Sequence, residues 1–127
     1  MGHPIVDKVV REGLQSINVS MLSPEVRLKL MTEAGNTLMR MSRFKEAAHA
    51  FALAENKEAL REHGNWFLKQ NKYGLAAHFL LHVEREDRMQ RLAQDCIAAG
   101  EVEAAKDIYE SLGDQVMVHF LRENFKS

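Results

Sequence analysis

Two histidines of this 127-residue chain have the spacing of metal ligands. His78 and His82 lie four residues apart, which places both imidazoles on one side of a helix. Phe79 stands where a zinc protease carries the glutamate that follows its first histidine, and no acidic cluster completes a ligand set. His49 precedes His78 by 29 residues, which fits a structural column instead. We therefore expect no metal, and an enzyme or ligand-binding protein that uses these histidines or His63 is a minor alternative.

The other candidate for chemistry is Cys96, the only cysteine. A nucleophilic thiol needs exposure and a basic neighbour. Cys96 falls instead in an apolar helical pattern, where cysteine packs as a small hydrophobic residue. A phosphate-binding loop of the GxxxxGK type does not occur in the sequence. We expect no catalytic residue and no cofactor, so the sequence predicts a protein that is not an enzyme.

Charge and hydropathy narrow the function classes further. Lys and Arg number 17 and Asp and Glu number 18, and the resulting net charge of -1 argues against a nucleic-acid binder. The first fifteen residues include several charges, and no stretch reaches the roughly 18 apolar residues that a membrane span needs. We expect a single cytoplasmic domain over residues 1–127 that binds neither nucleic acid nor membrane.

Helical periodicity runs through almost the whole chain. Apolar residues recur at three- and four-residue steps, and no segment shows the sustained alternation that is typical of a strand. Only two prolines and seven glycines interrupt the pattern. Ser23-Pro24 has the form of a helix start, because a capping hydroxyl precedes a proline in the first turn. The sequence predicts an all-α fold.

The sequence also repeats itself at a shift of 29 residues. Seven columns, each of one size class, come into register. They are Met31, Leu60 and Met89; Gly35, Gly64 and Ala93; Leu38, Phe67 and Cys96; Phe44, Tyr73 and Val102; Ala47, Ala76 and Ala105; Phe51, Leu80 and Tyr109; Ala54, Val83 and Leu112. Small columns allow two helices to approach closely, and large columns fill the space between them. Because one helix pair cannot bury its own apolar face, neighbouring pairs are expected to stack.

The repeat sets the expected boundaries of the helix pairs. Helix–turn–helix units are predicted over about 28–56, 57–85 and 86–113. Their turns are predicted at Ser42-Arg43, Asn71-Lys72 and Gly100-Glu101. Capping helices are predicted within 4–19 and 114–126, since Arg122 replaces the small residue of its column and would block a further unit. The expected total is eight helices.

Part of this pattern resembles the tetratricopeptide repeat, a helical-repeat family. The residues that carry the resemblance are Ala34-Gly35 with Leu38, Arg43 to Ala47 with Phe51 and Ala54, and Gly100 to Ala105 with Tyr109 and Leu112. It covers about residues 28–113, with a period of 29 residues where the family has 34. The resemblance implies a right-handed α-solenoid whose first helices line a concave face. Short-repeat solenoids of coat and transport scaffolds are also similar.

Three side-chain amides fall in register on the first helices. Asn36, Asn65 and Gln94 are 29 residues apart. A side-chain amide can pair with both groups of one peptide unit. Stacked helices lie about 8–10 Å apart and an extended peptide rises about 3.3 Å per residue, so such amides would meet a bound backbone at about every third residue. The resemblance implies the same use of asparagine, whereas the simpler alternative is a solvated helix face.

The same predicted face carries a mild excess of positive charge. Its charged residues are Lys29, Arg40, Arg61 and Lys69 against Glu58 and Asp87. This excess favours an acidic partner or a partner's C-terminal carboxylate. Trp66, the only tryptophan, is expected to pack between neighbouring helices rather than to anchor a ligand.

The sequence thus predicts a non-catalytic protein-interaction module that binds an extended peptide or a partner protein. The expected contact residues are Asn36, Asn65, Gln94, Arg40, Arg61, Lys69 and Lys29. The alternative is a structural subunit or homo-oligomeric scaffold that assembles through its ends or its convex face.

Overall fold

The computed structural model describes residues 3–125, and within them every regular element is a helix. The eight α-helices are α1 (Pro4–Glu12), α2 (Pro24–Arg40), α3 (Phe44–Leu53), α4 (Lys57–Lys69), α5 (Tyr73–Leu80), α6 (Glu86–Ala98), α7 (Val102–Leu112) and α8 (Gln115–Asn124). Two single 3-10 turns, Leu14–Ser16 and Val19–Met21, separate α1 from α2. The predicted all-α class and the number of α-helices are confirmed.

The first helix is shorter than the predicted N-terminal cap, residues 4–19. It ends at Glu12 because Gly13 adopts φ +97° and its N–H donates to the Val9 carbonyl at 2.8 Å. A 3-10 turn then continues the chain. At the other end, α8 ends at Asn124, and residue 126 of the predicted cap lies outside the described residues.

The chain divides into two compact units, and the division falls within α4. Unit 1 ends at Arg61 and unit 2 begins at Glu62. That residues 1–127 act as one domain stays a prediction.

The core of unit 1 is the α2–α3 hairpin. Ser23 caps α2, since its Oγ accepts from the Val26 N–H at 3.3 Å, as the Ser-Pro start signal predicts. Gly35 permits the close approach of the two helices, because a Cβ there would lie 2.6 Å from Phe51 Cε1. Phe51 itself is fully buried. The small column of the repeat therefore has the role in this pair that its residue size predicts.

The turn inside each helix pair is the same backbone motif. Ser42, Asn71 and Gly100, which are 29 residues apart, have φ of 59°, 59° and 82°. In each case the next N–H reaches back over six residues: Arg43 N to Leu38 O at 2.9 Å, Lys72 N to Phe67 O at 3.0 Å, and Glu101 N to Cys96 O at 2.7 Å. This is the Schellman arrangement that ends a helix with one left-handed residue. The 29-residue period of the sequence is thus present in the backbone.

Because a left-handed residue with a Cβ is strained, Ser42→Gly is expected to stabilise the protein by about 1 kcal/mol. Asn71→Gly should give less, since asparagine tolerates this conformation. Gly100→Ala should cost about 1 kcal/mol through its φ alone, because a Cβ there meets nothing within 4 Å. Urea unfolding of the three variants measures these changes, and a destabilised Ser42→Gly protein would contradict the assigned turn.

The turn after each pair is regular in the first and third pairs only. Glu55 and Gly113 both have positive φ, 58° and 76°. The next N–H returns to the carbonyl of Phe51 or Tyr109, in each case at 3.0 Å. In the second pair α5 ends early, at Leu80. The N–H groups of Val83 and Glu84 both bond to the Leu80 carbonyl, at 3.0 and 2.9 Å. The repeat therefore breaks between residues 81 and 85.

In two of the three turns, the residue after the left-handed position makes a hydrogen bond to a residue that is distant in the sequence. Arg43 Nη1 donates to the Val10 carbonyl at 2.7 Å, near the C-terminal end of α1. Arg43 also forms a two-bonded pair with Glu46, which holds the pKa of that carboxyl below its ordinary value. Glu101 Oε1 accepts from the Gly74 N–H at 3.1 Å, in the first turn of α5. Each charge matches the backbone group it meets, since a helix C-terminus offers carbonyls and an N-terminus offers N–H groups.

Removing the Glu101–Gly74 hydrogen bond of unit 2 should destabilise the protein. Glu101→Ala is expected to lower the free energy of unfolding by about 1–2 kcal/mol, because the part-buried bond involves a charged acceptor. Glu103→Ala is the matched control, since Glu103 is exposed and, among the residues that the structure describes, its side chain pairs only with Lys106 on the same helix. Equal losses in the two variants would show that the bond to Gly74 contributes nothing specific.

Candidate functional site

The three amides in register all lie on exposed helix positions. Asn36 is on α2, Asn65 on α4 and Gln94 on α6, and each residue is exposed. Within residues 3–125 none of these amides makes a hydrogen bond to another side chain or to the backbone. Their donors and acceptors face solvent and are available to a ligand.

The four predicted cations are exposed as well. Lys29, Arg40, Arg61 and Lys69 all lie at solvent-accessible positions of α2 or α4. Arg40 Nη2 donates to Thr37 Oγ1 at 3.1 Å on its own helix. Lys29, Asn36 and Arg40 are separated by seven and four residues, so they lie along one side of α2. That the α2 residues share a groove with those of α4 and α6 stays a prediction.

The expectation that Trp66 packs between helices is wrong. Its side chain is 56% exposed, and it makes an edge contact with the ring of the next residue, Phe67, with ring centroids 5.1 Å apart. Phe67 occupies the buried position, so the preceding residue is directed outward. The 29-residue repeat predicts an exposed position here, because the equivalent residues in the other two repeats, Thr37 and Asp95, are polar.

The histidines show no metal-binding arrangement. His78 is half-buried and His82 is exposed. Among the described residues no group of three His, Cys, Asp or Glu side chains is placed to hold a metal ion. His63 lies against Phe79, with ring centroids 5.5 Å apart, and burial lowers the pKa of its imidazole below 6.5.

Because the folded state disfavours protonated His63, stability should fall as the pH drops below about 6.5, where the unfolded chain binds the proton more readily. His63→Leu is expected to reduce this loss between pH 7.5 and 5.5 and to be tolerated, since the same column holds Leu92 and Leu121. Exposed His119→Gln is the control. Urea unfolding at both pH values measures the difference, and an unchanged pH dependence in His63→Leu would contradict it.

Cys96 is fully buried, and burial raises the pKa of its thiol to about 12. The sequence predicted a packed cysteine in the large column beside Leu38 and Phe67, and its position on the buried side of α6 agrees with that prediction.

One feature of unit 2 had no sequence signal of its own. A cavity of about 120 Å³ opens between α4, the end of α5 and α6. Its floor is formed by four apolar side chains, and four charged side chains surround it. The apolar residues are Leu68, Leu80, Met89 and Leu92, and the charged ones are Glu84, Arg88, Arg91 and Asp95. Leu80 and Glu84 of its lining belong to the irregular turn that follows α5, which periodicity could not reveal.

Comparison of the chain with models of known protein families, with curated proteins and with solved structures finds no match. The resemblance to tetratricopeptide repeats therefore stays a prediction. In the part of the chain that the structure describes, none of the helices combines the length and the apolar character needed to cross a bilayer.

Proposed function

We propose that this chain is a non-catalytic protein-interaction module that binds an extended peptide or a partner protein. The observation that carries the proposal is a set of exposed amides at one register position of α2, α4 and α6, which make no hydrogen bond within residues 3–125. The recurring Schellman turns support this register, since the left-handed residue of each turn follows one of the amides by six residues. Arg40, Arg61, Lys69 and Lys29 would add selection for acidic partners.

The mechanism is capture of backbone by side-chain amides. Each amide donates to one peptide carbonyl and accepts from one N–H, so binding would depend little on the partner's side chains at those points. A right-handed solenoid with a concave groove is the arrangement this mechanism requires, and the resemblance to tetratricopeptide repeats supports it. A cytoplasmic location belongs to the same proposal.

The test is a double variant, Asn36→Ala with Asn65→Ala. Affinity capture from native extract identifies a partner, and titration of that partner then compares the proteins. We expect the double variant to lose about 1–3 kcal/mol of binding free energy through lost hydrogen bonds. Gln70→Ala with Gln115→Ala is the matched control, because both are exposed amides outside the register.

Circular dichroism verifies that each protein is folded. A partner that binds the register variant as tightly as the wild type would refute capture by the amides. An equal loss of binding free energy in both double variants would show that position in the 29-residue register does not matter for binding.

A structural subunit is the second candidate, and the C-terminal helix favours it. Val116 is 79% exposed and Phe120 is 50% exposed, and they lie four residues apart on α8. Two apolar side chains on one exposed side are a feature of assembling surfaces. If the chain forms homo-oligomers through this side, its mass will rise with concentration, and Val116→Ser with Phe120→Ser will abolish that rise. A mass that stays monomeric up to millimolar concentration would exclude self-assembly.

A further inference from the structure

The cavity of unit 2 lies at the turn that follows α5. This turn is irregular, whereas the corresponding turns after α3 and α7 are regular. Leu80, whose carbonyl accepts both returning N–H groups, and Glu84, which donates one of them, both line the cavity. In the first and third pairs a left-handed residue closes this turn instead. Places where a chain departs from its own consistent pattern are where functional sites are expected.

The size of the cavity fits one side chain. Leu80, Met89 and Leu92 of its floor are buried and Leu68 is half-buried. Its volume of about 120 Å³ is close to the roughly 150 Å³ of an apolar cavity that accepts benzene. Cofactors and drug-sized ligands occupy roughly 300–1,000 Å³. An aliphatic group of leucine or methionine size is therefore the matching occupant.

The charges around the opening select a neutral, dipolar group. Glu84 and Arg88 pair with each other, Oε2 to Nη1 at 3.2 Å. Arg91 and Asp95 are exposed, and their side chains make no hydrogen bond or ion pair within residues 3–125. An anion would meet the Asp95 carboxylate, and a cation would meet the Arg91 guanidinium. A peptide unit instead satisfies both, because its carbonyl accepts and its N–H donates.

We propose that this cavity binds one leucine- or methionine-sized side chain of a partner peptide, with Arg91 donating to a peptide carbonyl and Asp95 accepting from a peptide N–H. This inference rests on the proposed interaction function and adds the residue type that the partner presents. Asn65 lies three residues before Leu68 on α4, and Gln94 adjoins Asp95 on α6. The two amides of unit 2 are therefore on the helices that form the cavity.

The test uses the smallest molecule with both features, N-acetyl-leucine N-methylamide. The full chain, labelled at leucine and methionine methyl groups, is titrated and followed by NMR. We expect saturable shifts at Leu68, Leu80, Met89 and Leu92, with a dissociation constant of about 1–10 mM for a ligand of this size. N-acetyl-alanine N-methylamide, which lacks the larger side chain, should bind at least about tenfold more weakly.

Two variants locate the binding. Leu68→Phe fills the cavity and should abolish the saturable shifts, whereas Leu112→Phe, at a half-buried position of α7 that does not line the cavity, should retain them. Absent shifts in the wild type, or equal affinity for the alanine probe, would overturn the inference. Tighter binding of N-acetyl-leucine with its free carboxylate would also overturn it, in favour of an anion site. Because this titration needs no partner, its failure is separate from failure of the amide test.

Discussion

Gly35→Ala is expected to lower the free energy of unfolding by about 2–3 kcal/mol. The new Cβ would lie 2.6 Å from Phe51 Cε1 and 2.8 Å from two further atoms of the same ring. Phe51 is fully buried, so its ring can move only by displacing other core side chains. Overpacking costs about 1–3 kcal/mol and occasionally more. Three ring atoms within 2.8 Å place this case at the upper end, about 3–4 kcal/mol, and the better helix propensity of alanine offsets about 1 kcal/mol of it.

Urea unfolding followed by circular dichroism measures the loss, and two controls assign it to the contact. Gly100→Ala changes a glycine with open space around it, so its cost is that of backbone strain alone. Phe51→Leu combined with Gly35→Ala should recover part of the loss, because the smaller side chain vacates the space that the methyl group enters. If Gly35→Ala is neutral or stabilising, α2 and α3 do not approach as closely as the structure shows.

Labelling of Cys96 by a disulfide reagent is expected to be at least about a thousandfold slower in the folded protein than in the urea-unfolded chain. The thiolate is the reacting species, and a pKa of about 12 instead of 9.0 reduces its fraction near pH 8 by roughly that factor. Complete burial of the side chain slows access further. The rate in the folded protein should rise about tenfold per pH unit up to pH 10 without levelling off.

A variant that moves the thiol provides the comparison. Cys96→Ala with Ala98→Cys places the only thiol on the exposed side of α6. This protein should react within about tenfold of the unfolded rate in its folded state. Rapid labelling of wild-type Cys96 would show that α6 opens frequently, and it would also contradict the assignment of the thiol as a core side chain.

Helix type, helix number and the main turns could be read from the sequence because they depend on local periodicity. Ser42, Asn71 and Gly100 lie where the repeat predicts turns, and all three have positive φ. The length of α1 was overestimated, since its apolar pattern continues beyond Gly13 and only the φ of that glycine ends the helix.

Other features depend on contacts that one sequence does not disclose. The exposure of Trp66 could have been inferred from its polar column, yet its residue type favoured burial. The early end of α5 and the cavity beside it follow from how the 81–85 turn folds onto Leu80, and no periodicity marks that event. The three amides are exposed, as a binding role requires. Whether they line one groove depends on the relative placement of the two units, which the repeat pattern does not determine.

The opposite charges of Arg43 and Glu101 have a consequence for how such a chain can lengthen by internal duplication. A copied segment 73–101 would bring both partners of this hydrogen bond, the Gly74 N–H in the first turn of a helix and a glutamate 27 residues later. Each added copy would therefore contain a complete hydrogen bond of its own. Copying the turn that contains Arg43 would instead bring the cation without its partner, because the Val10 carbonyl lies 33 residues before Arg43, more than one period of 29.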